Sequence, residues 1–203
     1  MSEFEKMIAE LPYHSHDPSC KTKMEENRIK LYEYNNLPPE RWSEKKAIIK
    51  KILGKTGENV HVEPPFHCDY GINIEVGENF YANYNLVVLD VAKVKIGNNV
   101  LIAPNVGIYT AGHPIDLEMR KHVEFGISIT IGNDVWIGGN VVILPGVHIG
   151  NGCVIGAGSV VTKDIPDNVV AVGNPCKVIR KITEEDKKYY FKKREVAPYY
   201  DGK

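Results

Sequence analysis

The feature that most constrains the fold is a six-residue repeat of aliphatic side chains in the second half of the chain. The first column of the repeat is Ile96, Ile102, Ile108, Ile131, Ile137, Ile143, Ile149, Ile155 and Val161. A second column of small or apolar residues follows four positions later, at Val100, Val106, Val135, Val141, Val147, Cys153 and Ser159. Helices repeat near 3.6 residues and amphipathic strands at two, so a period of six indicates short strands separated by sharp turns.

Each repeat therefore predicts one flat side of a coil, and the stacked coils predict a mainly β fold, a left-handed parallel β-helix. Asn and Gly between the aliphatic residues, as in 97–99 and 150–152, tolerate the backbone angles that sharp corners require. Weaker repeats around 74–77 extend the pattern upstream. We assign residues 58–182 to the β-helix.

The two ends of the chain have a different composition. Residues 1–57 carry apolar and aromatic positions at helical spacing, which predicts an α-helical cap over the open end of the solenoid. Residues 183–203 begin with Thr183, then acidic and basic residues, which suits a short C-terminal helix or a solvated tail.

Composition limits the classes of partner. The 203 residues, 43% of them hydrophobic, suffice for one main domain. With 25 Lys and Arg against 26 Asp and Glu, the net charge of −1 gives no electrostatic reason to expect nucleic acid or a membrane. No secretory signal, membrane-length apolar run or CxxC pair is present, which predicts reduced thiols in the cytoplasm.

One segment interrupts the repeat. From 112 to about 128 the aliphatic columns lapse, which predicts an excursion out of the coil. Loops on a rigid scaffold are where function concentrates, and this one opens with His113 followed by Pro114. His113 is thus a candidate catalytic residue, although a lone histidine can also be merely structural or exposed.

Four segments, 79–85, 109–114, 135–139 and 156–164, resemble the galactoside and maltose O-acetyltransferases of the hexapeptide-repeat superfamily. The resemblance covers nearly the whole chain, including the N-terminal cap and the segment 173–180. It implies an enzyme that uses acetyl-CoA as co-substrate and a small sugar as acceptor. It also implies a homotrimer with active sites in clefts between subunits.

The resemblance gives His113 the role of general base. A neutral imidazole can take the proton of an attacking hydroxyl, a gain of roughly 10²–10⁴-fold, and then protonate the leaving thiolate. The tetrahedral oxyanion needs preorganised donors, for which the Asn83 side chain and a backbone amide near Gly139 are candidates. Without the resemblance, Asn83 is equally well explained as a turn residue or as part of an asparagine ladder.

Four residues match family positions that bind the acceptor: Asp17, Asp69, Tyr81 and Asn83. Carboxylates suit the hydroxyl donors of a sugar ring, but each Asp taken alone could be solvated or a helix cap. Some galactoside-type members have consecutive acidic residues where this chain reads Leu-Asp-Val at 89–91, closer to the maltose-type pattern. The identity of the sugar stays open.

The cofactor positions implied by the resemblance are Trp136, Gly139, Ala157, Thr162, Lys163, Lys177 and Arg180. Cations near one end of the prism suit the phosphates of CoA, although such residues are also ordinary surface charges. Glu124, in the excursion, could pair with His113 and hold its tautomer, with solvation as the alternative.

The sequence also leaves alternatives from other classes of protein. A γ-type carbonic anhydrase needs three histidines around zinc, and the five histidines of the β-helix region lack that spacing, so no catalytic metal is expected: His61, His67, His113, His122 and His148. A non-catalytic scaffold would neither bind acetyl-CoA nor depend on His113. An acetyltransferase for a xenobiotic or antibiotic acceptor is a further alternative. A serine acetyltransferase is a poorer match, because those enzymes carry a much longer N-terminal helical domain.

Overall fold

The computed structural model describes residues 1–197 and 199. Four α-helices lie at the N-terminal end and in the excursion: α1 Glu3–Ile8, α2 Pro18–Asn36, α3 Trp42–Ile52 and α4 Leu117–Arg120. The first eleven strands are β1 Val60–Val62, β2 Phe66–Cys68, β3 Ile74–Val76, β4 Phe80–Ala82, β5 Leu86–Leu89, β6 Val94–Ile96, β7 Leu101–Ile102, β8 Gly107–Tyr109, β9 Ala111–Gly112, β10 Phe125–Gly126 and β11 Ile129–Ile131. The others are β12 Trp136–Ile137, β13 Val142–Ile143, β14 His148–Ile149, β15 Val154–Ile155, β16 Val160–Val161, β17 Val169–Val172, β18 Lys177–Lys181, β19 Tyr189–Phe191 and β20 Arg194–Glu195.

Three parallel sheets form the three faces of a prism. Face I consists of β1, β4, β7, β12, β15 and β17; face II of β2, β5, β8, β13 and β16; and face III of β3, β6, β11 and β14. The chain visits the faces in rotation, and each strand pairs in register with the strand one coil away. The predicted left-handed parallel β-helix of hexapeptide repeats is confirmed, with about six turns.

Both columns of the repeat point into the prism. Ile137, Ile143 and Ile149 are fully buried, as are Val141 and Cys153, and they belong to one continuous core. Each inward side chain packs on its equivalents in the coils above and below, which is why a strict sequence period is needed to build the core.

The corners between faces III and I carry a ladder of side-chain amides. The Asn79 Nδ2 donates to Asn99 Oδ1 at 2.9 Å, and the Asn99 Nδ2 donates to Asp134 Oδ1 at 2.8 Å. All three residues have φ between 56° and 58°, a left-handed conformation that asparagine and aspartate tolerate better than most residues. The predicted role of Asn at the turns is confirmed here.

The N-terminal helices close one end of the prism. Tyr34 and Ile49 join the same core as Phe66 of the first coil. The side chain of Asn35 makes the two hydrogen bonds that a neighbouring strand would make to Phe66. Its Oδ1 accepts from the Phe66 N–H and its Nδ2 donates to the Phe66 carbonyl, both at 2.9 Å. This pairing satisfies the edge of β2, which would otherwise present free backbone groups.

At the other end, β18 pairs antiparallel with β17 and extends face I by one strand. The predicted C-terminal helix is a 3₁₀-helix of five residues, Glu184–Lys188, and the β19–β20 hairpin follows it. Of the predicted tail 183–203, residues 198 and 200–203 lie outside the described part of the chain.

Candidate active site

The excursion leaves the prism at the corner between faces II and III, and backbone pairing holds its two ends together. Strands β9 and β10 pair antiparallel, with Gly112 opposite Phe125, so the chain departs and returns side by side. Asp116 caps the short helix α4 by accepting from the N–H groups of Glu118 and Met119. His113 follows the paired Gly112 directly and is therefore held at the base of the excursion, where its side chain is exposed.

His113 borders a pocket of about 550 Å³ between this corner and the N-terminal helices. Asp69, from the corner one coil below Asp90, also lines it. The N-terminal segment and α2 supply the facing wall, with Tyr13, Lys21, Glu25 and Arg28 among its residues. The structure thus brings the predicted base and one predicted acceptor residue into one cavity that mixes charges of both signs.

Glu124 makes no hydrogen bond to His113 among the described residues, although both line the pocket. Its carboxylate accepts hydrogen bonds from the Tyr13 hydroxyl at 3.2 Å and from the Ser15 hydroxyl at 2.7 Å. Backbone bonds in both directions also join Tyr13 to Glu124, at 3.0 Å each. Glu124 instead links the N-terminal segment to the excursion by hydrogen bonds, and these residues together form one wall of the pocket.

Asp69 and Asp90 each follow directly after a strand of face II, in successive coils at this corner. Asp90 is fully buried, and its Oδ1 accepts from the N–H groups of Asp69 and Tyr70, each at 2.9 Å. Its Oδ2 is buried without a hydrogen-bond partner among the described residues. Burial raises the pKa of Asp90 to about 7, with repulsion from Asp69 adding to the effect. Burial also raises the pKa of Asp69 to about 6, although the nearby Arg28 guanidinium opposes the shift.

We expect Asp90→Asn to change how stability depends on pH. The folded-state pKa of Asp90 lies above the ordinary value, so between about pH 4 and pH 7 the folded protein binds more protons than the unfolded chain. The contribution of Asp90 to the stability of the wild type therefore falls as pH rises through this range, whereas asparagine does not titrate. The free energy of unfolding of the variant relative to wild type should increase by on the order of 1 kcal/mol per pH unit.

Urea denaturation at several values between pH 5 and pH 8 measures this difference. Asp134→Asn, which removes an exposed carboxylate, controls for the loss of one negative charge. Parallel stability curves for Asp90→Asn and the wild type would show that Asp90 carries no raised pKa.

Asn83 lies at a different corner, between faces I and II, and does not share the pocket with His113. Leu89 on the pocket wall lies six positions further along the chain, across the width of face II and at most roughly 20 Å away. The Asn83 Oδ1 accepts from the Tyr84 N–H at 2.8 Å, and its NH₂ group has no partner among the described residues. Asn83 is not a ladder residue; Asn85 is, donating to Asn105 Oδ1 at 2.9 Å. Tyr81 lies on face I, also away from the pocket.

The predicted cofactor residues fall into two groups. Trp136 on face I is 54% exposed, and Gly139 and Ala157 follow at the corner between faces I and II in successive coils. Thr162 and Lys163 lie instead at the opposite edge of face II, beyond β16, and both are exposed. The structure therefore places cofactor candidates on the two corners that also carry Asn83 and His113.

The two remaining cofactor candidates lie on β18. Arg180 borders a pocket of about 610 Å³ together with Trp136, but its guanidinium already makes two 2.8 Å hydrogen bonds to Asp186. These bonds lower the pKa of Asp186 to about 2. Lys177 is exposed at the start of the strand, opposite Val172. Phosphate binding by Arg180 would therefore compete with an existing ion pair.

Asp17 acts as the N-cap of α2. Its Oδ1 accepts from the Ser19 N–H at 2.8 Å and from the Ser19 hydroxyl at 2.6 Å. These hydrogen bonds hold the pKa of Asp17 below its usual range. Its neighbours Ser15 and His16 line the pocket, whereas Asp17 does not.

Several pocket residues were not predicted from the sequence. Lys21, Met24, Glu25 and Arg28 all line the pocket from α2. Their spacing of three, four and seven residues places them on one side of a helix, a signal that was available in the sequence. Tyr70 and Tyr13 carried no such pattern.

The described residues offer neither a metal site nor a membrane-spanning helix. Within residues 1–197 and 199, no group of three or more His, Cys, Asp or Glu side chains could hold a metal ion. No helix in that same part of the chain has the length and apolar character needed to cross a bilayer.

Two family models match the chain. Residues 6–57 match the maltose acetyltransferase hexapeptide capping motif, and residues 128–163 match the bacterial transferase hexapeptide of six repeats. The first match covers the helices that close the prism, and the second covers coils beyond the excursion.

Similar proteins extend over most of the chain. The galactoside O-acetyltransferase of Escherichia coli is 54% identical over 167 residues, which are 82% of this chain and 82% of that protein. A galactoside acetyltransferase solved in complex with coenzyme A superposes with a TM-score of 0.93 at 48% identity, covering 97% of this chain and 98% of that one. A maltose O-acetyltransferase from Clostridium difficile 630 gives a TM-score of 0.89 at 49% identity, covering 91% of this chain and 99% of that one.

Proposed function

Because the chain belongs to the galactoside and maltose O-acetyltransferase family of hexapeptide-repeat proteins, we propose that it acetylates a sugar hydroxyl with His113 as general base. It is an acetyl-CoA-dependent acyltransferase. The observation that carries the assignment of the base is the position of His113, exposed at the root of the excursion on a pocket shared with Asp69.

The proposed reaction is direct transfer. Neutral His113 accepts the proton of the sugar hydroxyl while that oxygen forms a bond to the thioester carbonyl carbon. The tetrahedral oxyanion then collapses, the carbon–sulfur bond breaks, and the imidazolium of His113 returns the proton to the CoA thiolate. The products are the acetylated sugar and free CoA, so no acyl-enzyme and no metal ion take part in the scheme.

The site requires two chains in this proposal. A general base and an oxyanion donor must both lie within hydrogen-bonding distance of one reaction centre, but His113 and Asn83 lie at opposite edges of face II. In a closed ring of identical chains, the face II–III corner of one chain can meet the face I–II corner of the next. A homotrimer built in this way would join the base to Asn83, Gly139 and Ala157 of the neighbour.

Exposed apolar residues on the excursion support such a contact. Ile115 is 96% exposed, Leu117 61% and Met119 54%. On the far side of face II, Tyr84 at the neighbouring corner and Leu101 on face I are each about half exposed. Burial of these side chains between subunits would remove apolar surface that a single chain leaves in water.

The assignment of Asp69 to the acceptor site is supported by complementary chemistry. Asp69, with a pKa raised to about 6 by burial, can accept hydrogen bonds from sugar hydroxyls when ionised, and Arg28 and Lys21 provide donors across the pocket.

The four cysteines are all buried and free, in agreement with a reducing compartment such as the cytoplasm.

The test is acetyl-CoA turnover measured as released thiol, with glucose, maltose, galactosides and an aminoglycoside as separate acceptors. We expect a sugar to stimulate thiol release well above the rate of acetyl-CoA hydrolysis, and mass spectrometry to find one added acetyl group on it. Stimulation by the aminoglycoside alone would replace the sugar with another acceptor class. No stimulation by any acceptor would contradict the proposed activity.

A further inference from the structure

The side chain of Asn27 connects helix α2 to the β-helix next to the pocket that Asp69 and His113 line. Asn27 is only 1% exposed. Its Nδ2 donates to the Asp69 carbonyl at 3.1 Å and to the Cys68 Sγ at 3.3 Å, where β2 ends. Its Oδ1 is buried without a hydrogen-bond partner among the described residues. The amide therefore binds the corner of the β-helix rather than the backbone of its own helix.

The backbone of Asp69 is held on both sides. Its N–H donates to Asp90 Oδ1 at 2.9 Å, and its carbonyl accepts from Asn27. Gly71 leaves room for Asn27, because a Cβ at Gly71 would lie 3.2 Å from the Asn27 Oδ1, and the φ of 70° at this position suits glycine. Among the described residues, no hydrogen bond occupies the Asp69 carboxyl group itself, so this group stays available to a ligand.

Asn27 directly precedes Arg28, which lines the same pocket from α2. The Arg28 guanidinium is near enough to Asp69 to counteract the rise in its pKa, yet no salt bridge joins the two side chains among the described residues. Opposite charges that line one pocket without contact can bind hydroxyl groups of the same ligand, the carboxylate as acceptor and the guanidinium as donor. The hydrogen bond from Asn27 links the backbone segments that carry these two groups and so limits the distance between them.

We propose that Asn27 is a positioning residue for the acceptor, which holds Asp69 in a fixed place opposite Arg28. Asn27 does not line the pocket, so it acts through these two residues. Without its amide, the Asp69 carbonyl loses a buried donor and the corner can shift relative to α2. Such a shift weakens acceptor binding rather than the chemical step, because the pairing of β9 with β10 holds His113. The inference rests on the proposed function.

The experiment compares Asn27→Ala with Asn35→Ala, using glucose, maltose and a galactoside as acceptors. Asn35 is the matched control, since its amide also joins α2 to β2, at Phe66, and makes no hydrogen bond to Asp69. Asn27→Ala should raise the KM for the acceptor about tenfold, the usual cost of losing one hydrogen bond to a charged group. The kcat and the KM for acetyl-CoA should stay near their wild-type values. Asn35→Ala should lower the stability and leave the KM for the acceptor unchanged.

The same substitution in an Asp69→Ala background distinguishes positioning from a general weakening of the fold. If Asn27 acts through Asp69, adding Asn27→Ala should change the acceptor KM of Asp69→Ala by about twofold or less. A tenfold rise in that background would overturn the proposal, as would equal acceptor KM values for Asn27→Ala and the wild type. Asn27→Leu keeps a similar volume without polar atoms and replaces Asn27→Ala in these measurements if that variant does not fold.

A titration that needs no turnover separates this inference from the proposed function. If the wild type acetylates no sugar, the proposed function fails, and carbon-13 NMR of the Asp69 carboxyl group decides the role of Asn27. Burial raises the pKa of Asp69 to about 6; Arg28 opposes the rise, and Glu124 and Asp90 are the other charged groups nearby. In Asn27→Ala the carboxyl group should turn towards water, so that its pKa falls towards the ordinary value. The same pKa in the variant and the wild type would overturn the positioning role.

Discussion

Replacing His113 with alanine is expected to lower kcat for sugar acetylation by about 10²–10⁴-fold. Without the imidazole, no group at the root of the excursion can take the hydroxyl proton as the carbon–oxygen bond forms. The fold should be unaffected, since the His113 side chain is exposed and makes no side-chain hydrogen bond among the described residues. Thiol release at saturating acetyl-CoA and sugar measures the loss, and circular dichroism checks the fold.

His122→Ala is the matched control for this prediction. His122 is also exposed on the excursion, and its structural contact is made by the backbone carbonyl, which lies 2.7 Å from the His14 Nδ1 and remains in alanine. This variant should keep wild-type turnover. A His113→Ala enzyme as active as His122→Ala would exclude His113 as the base.

Replacing Asn83 with alanine should lower kcat by about 10²–10³-fold, the usual cost of losing one oxyanion donor. The Asn83 NH₂ group has no partner among the described residues, and the Tyr84 N–H holds the side-chain oxygen. The binding of acetyl-CoA, measured by calorimetry, should change far less than kcat, because the oxyanion exists only after the attack on the thioester.

The variant Asn83→Asp distinguishes between two roles of Asn83, that of an oxyanion donor and that of a structural residue in the turn. Aspartate keeps an oxygen that can accept from the Tyr84 N–H, so a purely structural role would leave the enzyme active. As an oxyanion donor, aspartate fails and adds a negative charge, so Asn83→Asp should be at least as inactive as Asn83→Ala. An active Asn83→Asp enzyme would contradict the donor role.

The prism was accessible from the sequence because every inward position has the same environment. Ile137 must fit between the equivalent residues above and below it, so the packing requirement is written as a repeat. The excursion was found for the same reason, as the place where the repeat fails. Asn85 and Asn83 show the limit of this approach, since both are asparagines near one corner and only Asn85 joins a ladder.

Contacts between distant segments could not be predicted in this way. Glu124 binds Tyr13, which lies 111 residues away, and no local pattern links an excursion in the β-helix to an N-terminal turn. Asp17 was a plausible sugar ligand by resemblance, and its position before Pro18 and Ser19 also suited a helix cap, which is where the structure places it. The C-terminal residues after Thr183 carried charges suited to a helix, but they form a 3₁₀-helix and a hairpin.

The repeat pattern did not place His113 and Asn83 at two different corners, although the family resemblance implied active sites between subunits. His113 and Asn83 are both on the surface, and a repeat pattern does not reveal which corners of neighbouring chains meet. The face-by-face topology separates them across face II, and this separation supports the proposal of a site shared between subunits.

The most direct test of this account is to mix His113→Ala and Asn83→Ala chains, unfold and refold them together, and measure sugar-dependent thiol release. If each site takes its base from one chain and its donor from the next, random assembly restores about a quarter of the sites with both residues intact. We therefore predict that the mixture regains turnover far above either variant alone. A mixture no more active than the separate variants would place both residues in a single-chain site or show that they do not act together.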